Sequence, residues 1–269
     1  MSSSGWSAWL NGKFLGSYLG DSSTEQANLT LSFTNVTVNP STPNVLLVVH
    51  DDTGHDETTG ALNPRGILDF KLLGSSTSFS HWRLAGTAGG ESNLDPVRGV
   101  YNEDGLYGER VGWHLPGFDD STWTSASKQQ TVVNGLTSSV LSFQGATVRF
   151  FRTVIPLQLP SSHDISISFI LSTPTRSTTS YRAQLFVNGY QYKRYNPHIG
   201  NQVVYPVPAG ILDYNGENTI GVVVWAQNEE GATITVGWRV NYVADSSLEV
   251  VSLGEGLRPR WSEQRERFA

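Results

Sequence analysis

Residues able to bind a ligand or do chemistry are few and grouped. The densest polar run is His50-Asp51-Asp52-Thr53-Gly54-His55-Asp56-Glu57. Imidazoles and carboxylates this close together could chelate a cation. Their spacing fits neither an EF-hand loop nor a His-x-x-x-His helix, so no metal site is expected and a plain polar loop after a strand explains the run. Glu103, Asp104 and Glu109 form a second acidic group. Gly105 and Gly108 mark a tight loop there, and Arg98 and Arg110 lie near enough to make it an ion-pair network. Ser, His and Asp occur without a Gly-x-Ser-x-Gly elbow, which leaves a hydrolase triad unsupported. The glycine-rich residues 86–90 lack the Lys-Ser/Thr and helix of a phosphate loop. Cysteine is absent, which excludes disulfides, thiolate metal sites and a cysteine nucleophile. No catalytic residue, metal or cofactor is therefore expected in this chain. Aromatic rings remain, since the apolar face of a sugar stacks on them. Trp9, Tyr18, Tyr190, Tyr192, Tyr195 and Trp225 are the candidates. Strand alternation would put Tyr190 and Tyr192 on one face, which makes that pair the stacking candidate.

The elements that carry these residues follow from composition. The chain has 269 residues with 18 basic and 24 acidic side chains, a net charge of −6. Only 16% of residues are charged, while 8 Trp, 10 Tyr and 11 Phe accompany 27 Gly and 12 Pro. Low charge with many aromatics and turn formers predicts an all-β chain. No basic patch is present to neutralise phosphates, so nucleic acid is not an expected partner. The longest apolar stretches, 45–49 and 222–225, are far too short to span a bilayer, so no membrane partner is expected either. Residues 1–6 do not have the charged start and apolar core of a signal peptide. Two N-x-[ST] sequons, at Asn28 and Asn35, point to glycosylation and an extracellular location, with the signal lying outside this sequence.

Short strands broken by Gly, Pro, Asn and Asp recur along the chain. Asn11-Gly12 between 7–10 and 13–18 is a strong hairpin signal, because both turn residues must take positive φ. Residues 30–38 alternate with one slip of register, and 45–50 form a continuous apolar run of the kind buried on both faces. Strands are also expected over 148–155, 165–171, 181–187, 190–195, 219–227 and 233–242, with at most one helical turn near 125–130. The segment Trp9-Leu10-Asn11-Gly12-Lys13-Phe14 resembles Phe186-Val187-Asn188-Gly189-Tyr190-Gln191, 177 residues later. Each is followed by an Asn-led apolar run, at Asn44 and at Asn218. That spacing fits two globular β modules rather than a solenoid. The second copy has about 70 residues of strand-like sequence before its hairpin, whereas the first has ten. A jelly roll needs about eight strands in two sheets, so the first module is expected to be incomplete. Its apolar face must then be covered by other polypeptide. The expected organisation is the second half of a first jelly roll over 1–85 and a connecting segment over 86–117. A complete second jelly roll over 118–245 and a C-terminal tail over 246–269 follow. The alternating charges of 258–267 read as a solvated end.

Longer motifs carry a resemblance. Tyr181-Arg182-Ala183-Gln184-Leu185-Phe186-Val187-Asn188-Gly189-Tyr190, then Ile199-Gly200, Tyr205-Pro206-Val207-Pro208-Ala209-Gly210-Ile211-Leu212-Asp213-Tyr214 and Asn218, resemble the last jelly-roll domain of fungal β-galactosidases of glycoside hydrolase family 35. Asn63-Pro64-Arg65-Gly66, Val97-Arg98-Gly99 and Asn102-Glu103-Asp104-Gly105-Leu106-Tyr107-Gly108-Glu109-Arg110 do likewise. The resemblance runs from about residue 6 to 242. It implies two galactose-binding-like jelly-roll β-sandwiches from the C-terminal quarter of such an enzyme. In that family two glutamates about 5 Å apart hydrolyse terminal β-galactosides with retention, on an N-terminal (β/α)₈ barrel. Nothing in this chain looks like that barrel. The resemblance therefore implies a non-catalytic part of a secreted β-galactosidase, partnered by the barrel of the same gene product, bracing it and walling the substrate entrance. It further implies that the loop holding His55, Asp56, Glu57 and Thr58 reaches toward the barrel mouth. Galactosides are the implied small-molecule partner. A free-standing galactoside-binding jelly roll is the alternative, and an independent enzyme with an unrecognised site a third reading.

Overall fold

The computed structural model describes residues 4–20, 27–52, 59, 66–74, 78–84, 106–126, 130–133, 136–174, 180–200, 202–208, 210–246 and 259–264. The first unit holds β1 (Ser4–Leu10), β2 (Lys13–Tyr18) and β3 (Leu46–Asp52). They form an antiparallel sheet in the order β2-β1-β3. A one-turn helix, α1 (Tyr107–Arg110), precedes β4 (Gln130–Val133), β5 (Leu136–Phe143), β6 (Val148–Pro156) and β7 (His163–Ser172). Then come β8 (Tyr181–Val187), β9 (Tyr190–Tyr195), β10 (Val204–Pro206), β11 (Glu217–Ala226) and β12 (Ala232–Asp245).

These later strands make two antiparallel sheets, β10-β7-β12-β5-β4 and β6-β11-β8-β9. The chain crosses between them at almost every step; β4–β5 and β8–β9, each with a two-residue connection, are the sequential pairs that lie side by side. Eight strands, β5 to β12, thus have jelly-roll order, with β4 added at an edge. The core lies between the sheets. Ile165, Ile167, Phe169 and Leu171 of β7 meet Ala183, Leu185 and Val187 of β8 and Ile220, Val222 and Val224 of β11. The two-residue period that turns those side chains inward turns Arg182, Gln184 and Phe186 to the other face, and these are buried too. That outer face is covered from two directions. The three-stranded sheet lies over one part, and residues 106–123 lie over the rest. Phe150 and Phe186 stack at 6.1 Å, and His114 and Trp113 pack on them.

The internal repeat extends to individual hydrogen bonds. Asn11 and Asn188 both have positive φ, 51° and 48°. Asn11 Nδ2 donates to Asn44 Oδ1 at 2.8 Å, and Val45 N donates to Asn11 Oδ1 at 2.9 Å. Asn188 Nδ2 donates to Asn218 Oδ1 at 2.8 Å, and Thr219 N donates to Asn188 Oδ1 at 2.8 Å. One step out, Asn44 exchanges bonds with Asn39 as Asn218 does with Asp213. The pairing registers agree as well: Leu10↔Leu46, Ala8↔Val48 and Trp6↔His50 stand where Val187↔Ile220, Leu185↔Val222 and Ala183↔Val224 do. Each hairpin carries a register shift at the matching place, Ala8/Trp9 and Leu185/Phe186. The first sheet therefore corresponds to three of the four strands of the β6-β11-β8-β9 sheet. On its inner face Ala8 and Leu10 are buried, whereas Trp6, Leu46, Val48 and His50 are half-buried.

Three expectations change. Residues 30–38 form no strand. Their alternation slips, Val36 N donates to Phe33 O in a turn, and the cationic end of Lys13 is tied to the Asn35 carbonyl. Strand β3 is not buried on both faces, since Leu47 is 54% exposed and Leu46, Val48, Val49 and His50 are half-buried. The tail is not wholly solvated. Pro259 is buried, and Trp261 donates through N to Pro116 O and through Nε1 to Val111 O, both at 2.9 Å.

Candidate functional site

His55, Asp56, Glu57 and Thr58 lie outside the described residues, as do Glu103, Asp104 and Arg98. Strand β3 leads to them, and its end is pinned. Arg182, with a side chain 3% exposed, holds Asp51 at 2.9 Å and donates to Leu19 O at 2.7 Å. Arg194 approaches the same carboxylate at 3.6 Å. Glu109 is buried in α1. Asn28 and Asn35 are both exposed. Among the described residues no group of three or more His, Asp or Glu side chains could hold a metal ion.

The aromatic candidates separate into different environments. Trp9 and Trp225 are 8% and 5% exposed and sit in the seam between the first sheet and the sandwich. Trp225 Nε1 donates to the buried Ser7 Oγ at 3.0 Å, and Trp9 Nε1 donates to Ala146 O at 2.9 Å. Half-buried Tyr18 borders the same seam, where its carbonyl accepts from Gln227 Nε2 at 3.2 Å. Tyr195 belongs to the sandwich core. Tyr190 and Tyr192 are not brought together. The irregularity between β8 and β9 interrupts the alternation. Tyr192 packs against the core and its hydroxyl donates to the Pro206 carbonyl, while burial pushes its phenol up to about 12. Tyr190 instead borders a cleft of about 680 Å³.

This cleft is lined by both polar and apolar side chains. One wall is the outer face of the four-stranded sheet at its end, with Arg152 and Val154 of β6, Thr219 of β11 and the Asn188 turn. The other wall is the C-terminal strap. Pro259 and Leu115 crowd Gly189 so closely that a Cβ there would lie 2.8 and 2.9 Å from them, and its φ of +84° also demands glycine. Trp261 and Phe118, 5.8 Å apart and edge to face, close that side. Asp213, Glu217 and Arg260 stand at the rim. Arg152 is held rigidly: its side chain is 4% exposed, Nη1 donates to Asp120 Oδ2 at 2.6 Å and Nη2 to Leu115 O at 3.2 Å. Its buried Nε has no protein acceptor. Sequence reasoning singled out Tyr190 alone of this group. Arg152 sits in an ordinary alternating strand, and the one available signal for the opposite wall was a lone Trp in a charged tail.

Among the described residues its acidic side chains are Asp213 and Glu217. The chain is 71% identical over 98% of its length to "Probable beta-galactosidase B" of Penicillium rubens, and 68% identical over 98% to the protein of that name in Aspergillus fumigatus. It spans about a quarter of those relatives, 26% of each. A solved structure titled "EclA C-terminal domain; sugar-binding protein" aligns with 52% of this chain and 99% of its own at 10% identity and a TM-score of 0.27, an overlap too slight to interpret. The family described as "Beta-galactosidase second all-beta domain" matches residues 1–56 and 107–230, the two stretches that contain the first sheet and most of the sandwich. With both halves of the repeat inside that match, the chain belongs to the β-galactosidase second all-beta domain family.

Proposed function

We propose that this chain is the non-catalytic C-terminal part of a secreted β-galactosidase, and that it braces the catalytic barrel and walls the substrate entrance. On this reading retaining hydrolysis of terminal β-galactosides is done by two glutamates elsewhere in the polypeptide. One observation carries it. Trp6, Leu46, Val48 and His50 of the first sheet are only half-buried. Their counterparts in the sandwich, Ala183, Ile220, Val222 and Val224, are 0–4% exposed beneath a second sheet. Ala8 and Leu10 on the same face are already buried, at 0% and 5% exposed, so four of the six matched positions are left partly open, and that open part is what a covering layer would fill. Relatives four times as long have ample polypeptide to supply it. The pinned end of β3 would fix the loop of His55, Asp56, Glu57 and Thr58 at the substrate entrance, and Asn28 and Asn35 would carry glycans outside the cell.

The test compares three proteins: the 269-residue chain, the full-length polypeptide and the full-length polypeptide truncated before this chain. The chain alone is expected to release no nitrophenol from nitrophenyl β-galactoside and to bind the apolar dye ANS. The full-length protein should hydrolyse the substrate, and the truncated form should lose both activity and thermal stability. Hydrolysis by the chain alone, or a truncated form as active and stable as the whole, overturns the reading. Peptide mass mapping before and after deglycosylation reports on Asn28 and Asn35.

A further inference from the structure

We propose that the cleft between the Asn188 turn and the Pro259–Trp261 strap binds a neutral saccharide, as a site separate from any catalytic centre. This does not rest on the bracing role, because the cleft lies on the outer face of the sandwich and the half-buried sheet face lies elsewhere. Its volume of about 680 Å³ falls in the range of small-molecule sites, about 300–1,000 Å³. Tyr190, Phe118 and Trp261 line it and supply apolar ring area. Such rings cover the C–H face of a pyranose and leave its hydroxyls to polar neighbours.

The polar groups select for a neutral, hydroxyl-rich ligand. Arg152 and Arg260 line the cleft together with Asp213 and Glu217. Arg152 is already neutralised by Asp120, so an anion gains little net attraction. Each sugar hydroxyl both donates and accepts, and a lining that mixes carboxylate acceptors with guanidinium donors satisfies both roles. Arg152 is held in place, with its two terminal nitrogens engaged and its side chain buried, and fixes that wall of the cleft. The site is also rigid on both sides, since Asn188 is locked by three hydrogen bonds and Trp261 by two.

Galactose and lactose are the probes, titrated into the 269-residue chain and into the full-length polypeptide with binding read by NMR chemical shifts and saturation transfer. Saturable binding of at least one sugar is expected in both. Tyr190→Ala should weaken it about tenfold. Glu217→Gln, at an exposed strand end that leaves the fold intact, should weaken it severalfold. Tyr192→Phe, outside the cleft, should leave it unchanged. Circular dichroism verifies that each variant is folded. The proposal fails if neither sugar binds the folded chain, if Tyr190→Ala and Glu217→Gln both leave affinity unchanged, or if inorganic sulfate binds better than either sugar. Loss of binding in the full-length polypeptide also overturns it, because the cleft is then covered.

Discussion

Replacing Arg182 tests whether the first sheet is truly fastened to the sandwich. Its guanidinium crosses the seam with a side chain 3% exposed, pairs with Asp51 at 2.9 Å, donates to Leu19 O at 2.7 Å and lies 5.8 Å over the Trp225 ring. Gly5 and Gly20 leave room for it: a Cβ on Gly5 would stand 2.4 Å from Nη2, and one on Gly20 3.2 Å. Removing one member of a buried pair costs about 3–5 kcal/mol, because the other charge is stranded. Here Arg194, 3.6 Å from the same carboxylate, partly compensates. The low end applies, so Arg182→Ala should cost about 3 kcal/mol. At roughly 2–4 °C per kcal/mol for a domain of this size, melting should fall by about 6–12 °C. Arg182→Met with Asp51→Asn removes both charges and should recover most of the loss. Urea unfolding followed by tryptophan emission is the assay, since Trp225 beneath the guanidinium reports on the seam directly. A loss below about 1 kcal/mol for Arg182→Ala would refute the reasoning and make the contact a surface pair of little weight.

Gly231 has φ +88°, and a Cβ there would lie 1.9 Å from Phe143 O, a backbone atom that cannot yield. Gly231→Ala should therefore cost more than about 2 kcal/mol in thermal or urea unfolding. The repeat gives an internal control. Asn188→Ala strands the Thr219 N–H and the Ile211 carbonyl in a part-buried site and should cost about 3 kcal/mol, whereas the exposed Asn11→Ala should cost about 1 kcal/mol. His198 has its pKa lowered, first by burial and then by the Arg182 charge, against the opposing bond from Nε2 to Leu19 O at 2.9 Å. The unfolded chain then binds more protons below its ordinary value of about 6.5. The stability His198 contributes is present above that pH and is lost as pH falls through its lowered folded value. Melting of the wild type between pH 7 and 5 should fall more steeply than that of His198→Gln.

Much of the architecture was legible. The Asn-Gly turns at 11–12 and 188–189 predict hairpins because this dipeptide takes positive φ twice at little cost. Strands β8, β9 and β11 declare themselves through apolar runs and alternation. The β4–β5 pair carried a legible signal that was passed over, Asn134-Gly135 between apolar residues, because Thr137, Ser138, Ser139 and Ser142 make β5 itself read like a loop. Residues 30–38 show the converse error, as alternation without a partner strand makes no sheet. The seam was beyond sequence reasoning. Arg182, Gln184 and Trp225 alternate like solvent-facing residues, and only the docking of β1 and β2 makes them interior. Tyr192 missed the cleft for a similar reason, because one irregular pairing step changes which face a side chain takes.

The four-stranded sheet has a neighbour on each side, the sandwich core on one and, on the other, aromatic rings together with side-chain hydrogen bonds. Its amides in β8 and β11 should be the slowest in the molecule to exchange with deuterated solvent. The two flanking layers depend on it unequally. Oil-like packing tolerates small slides, whereas the bonds from Trp225 to Ser7, from Trp9 to Ala146 and from Arg182 to Asp51 and Leu19 fix one alignment only. Severing the chain between β3 and α1 would thus leave two pieces that still find each other in a single orientation, as a key finds its wards.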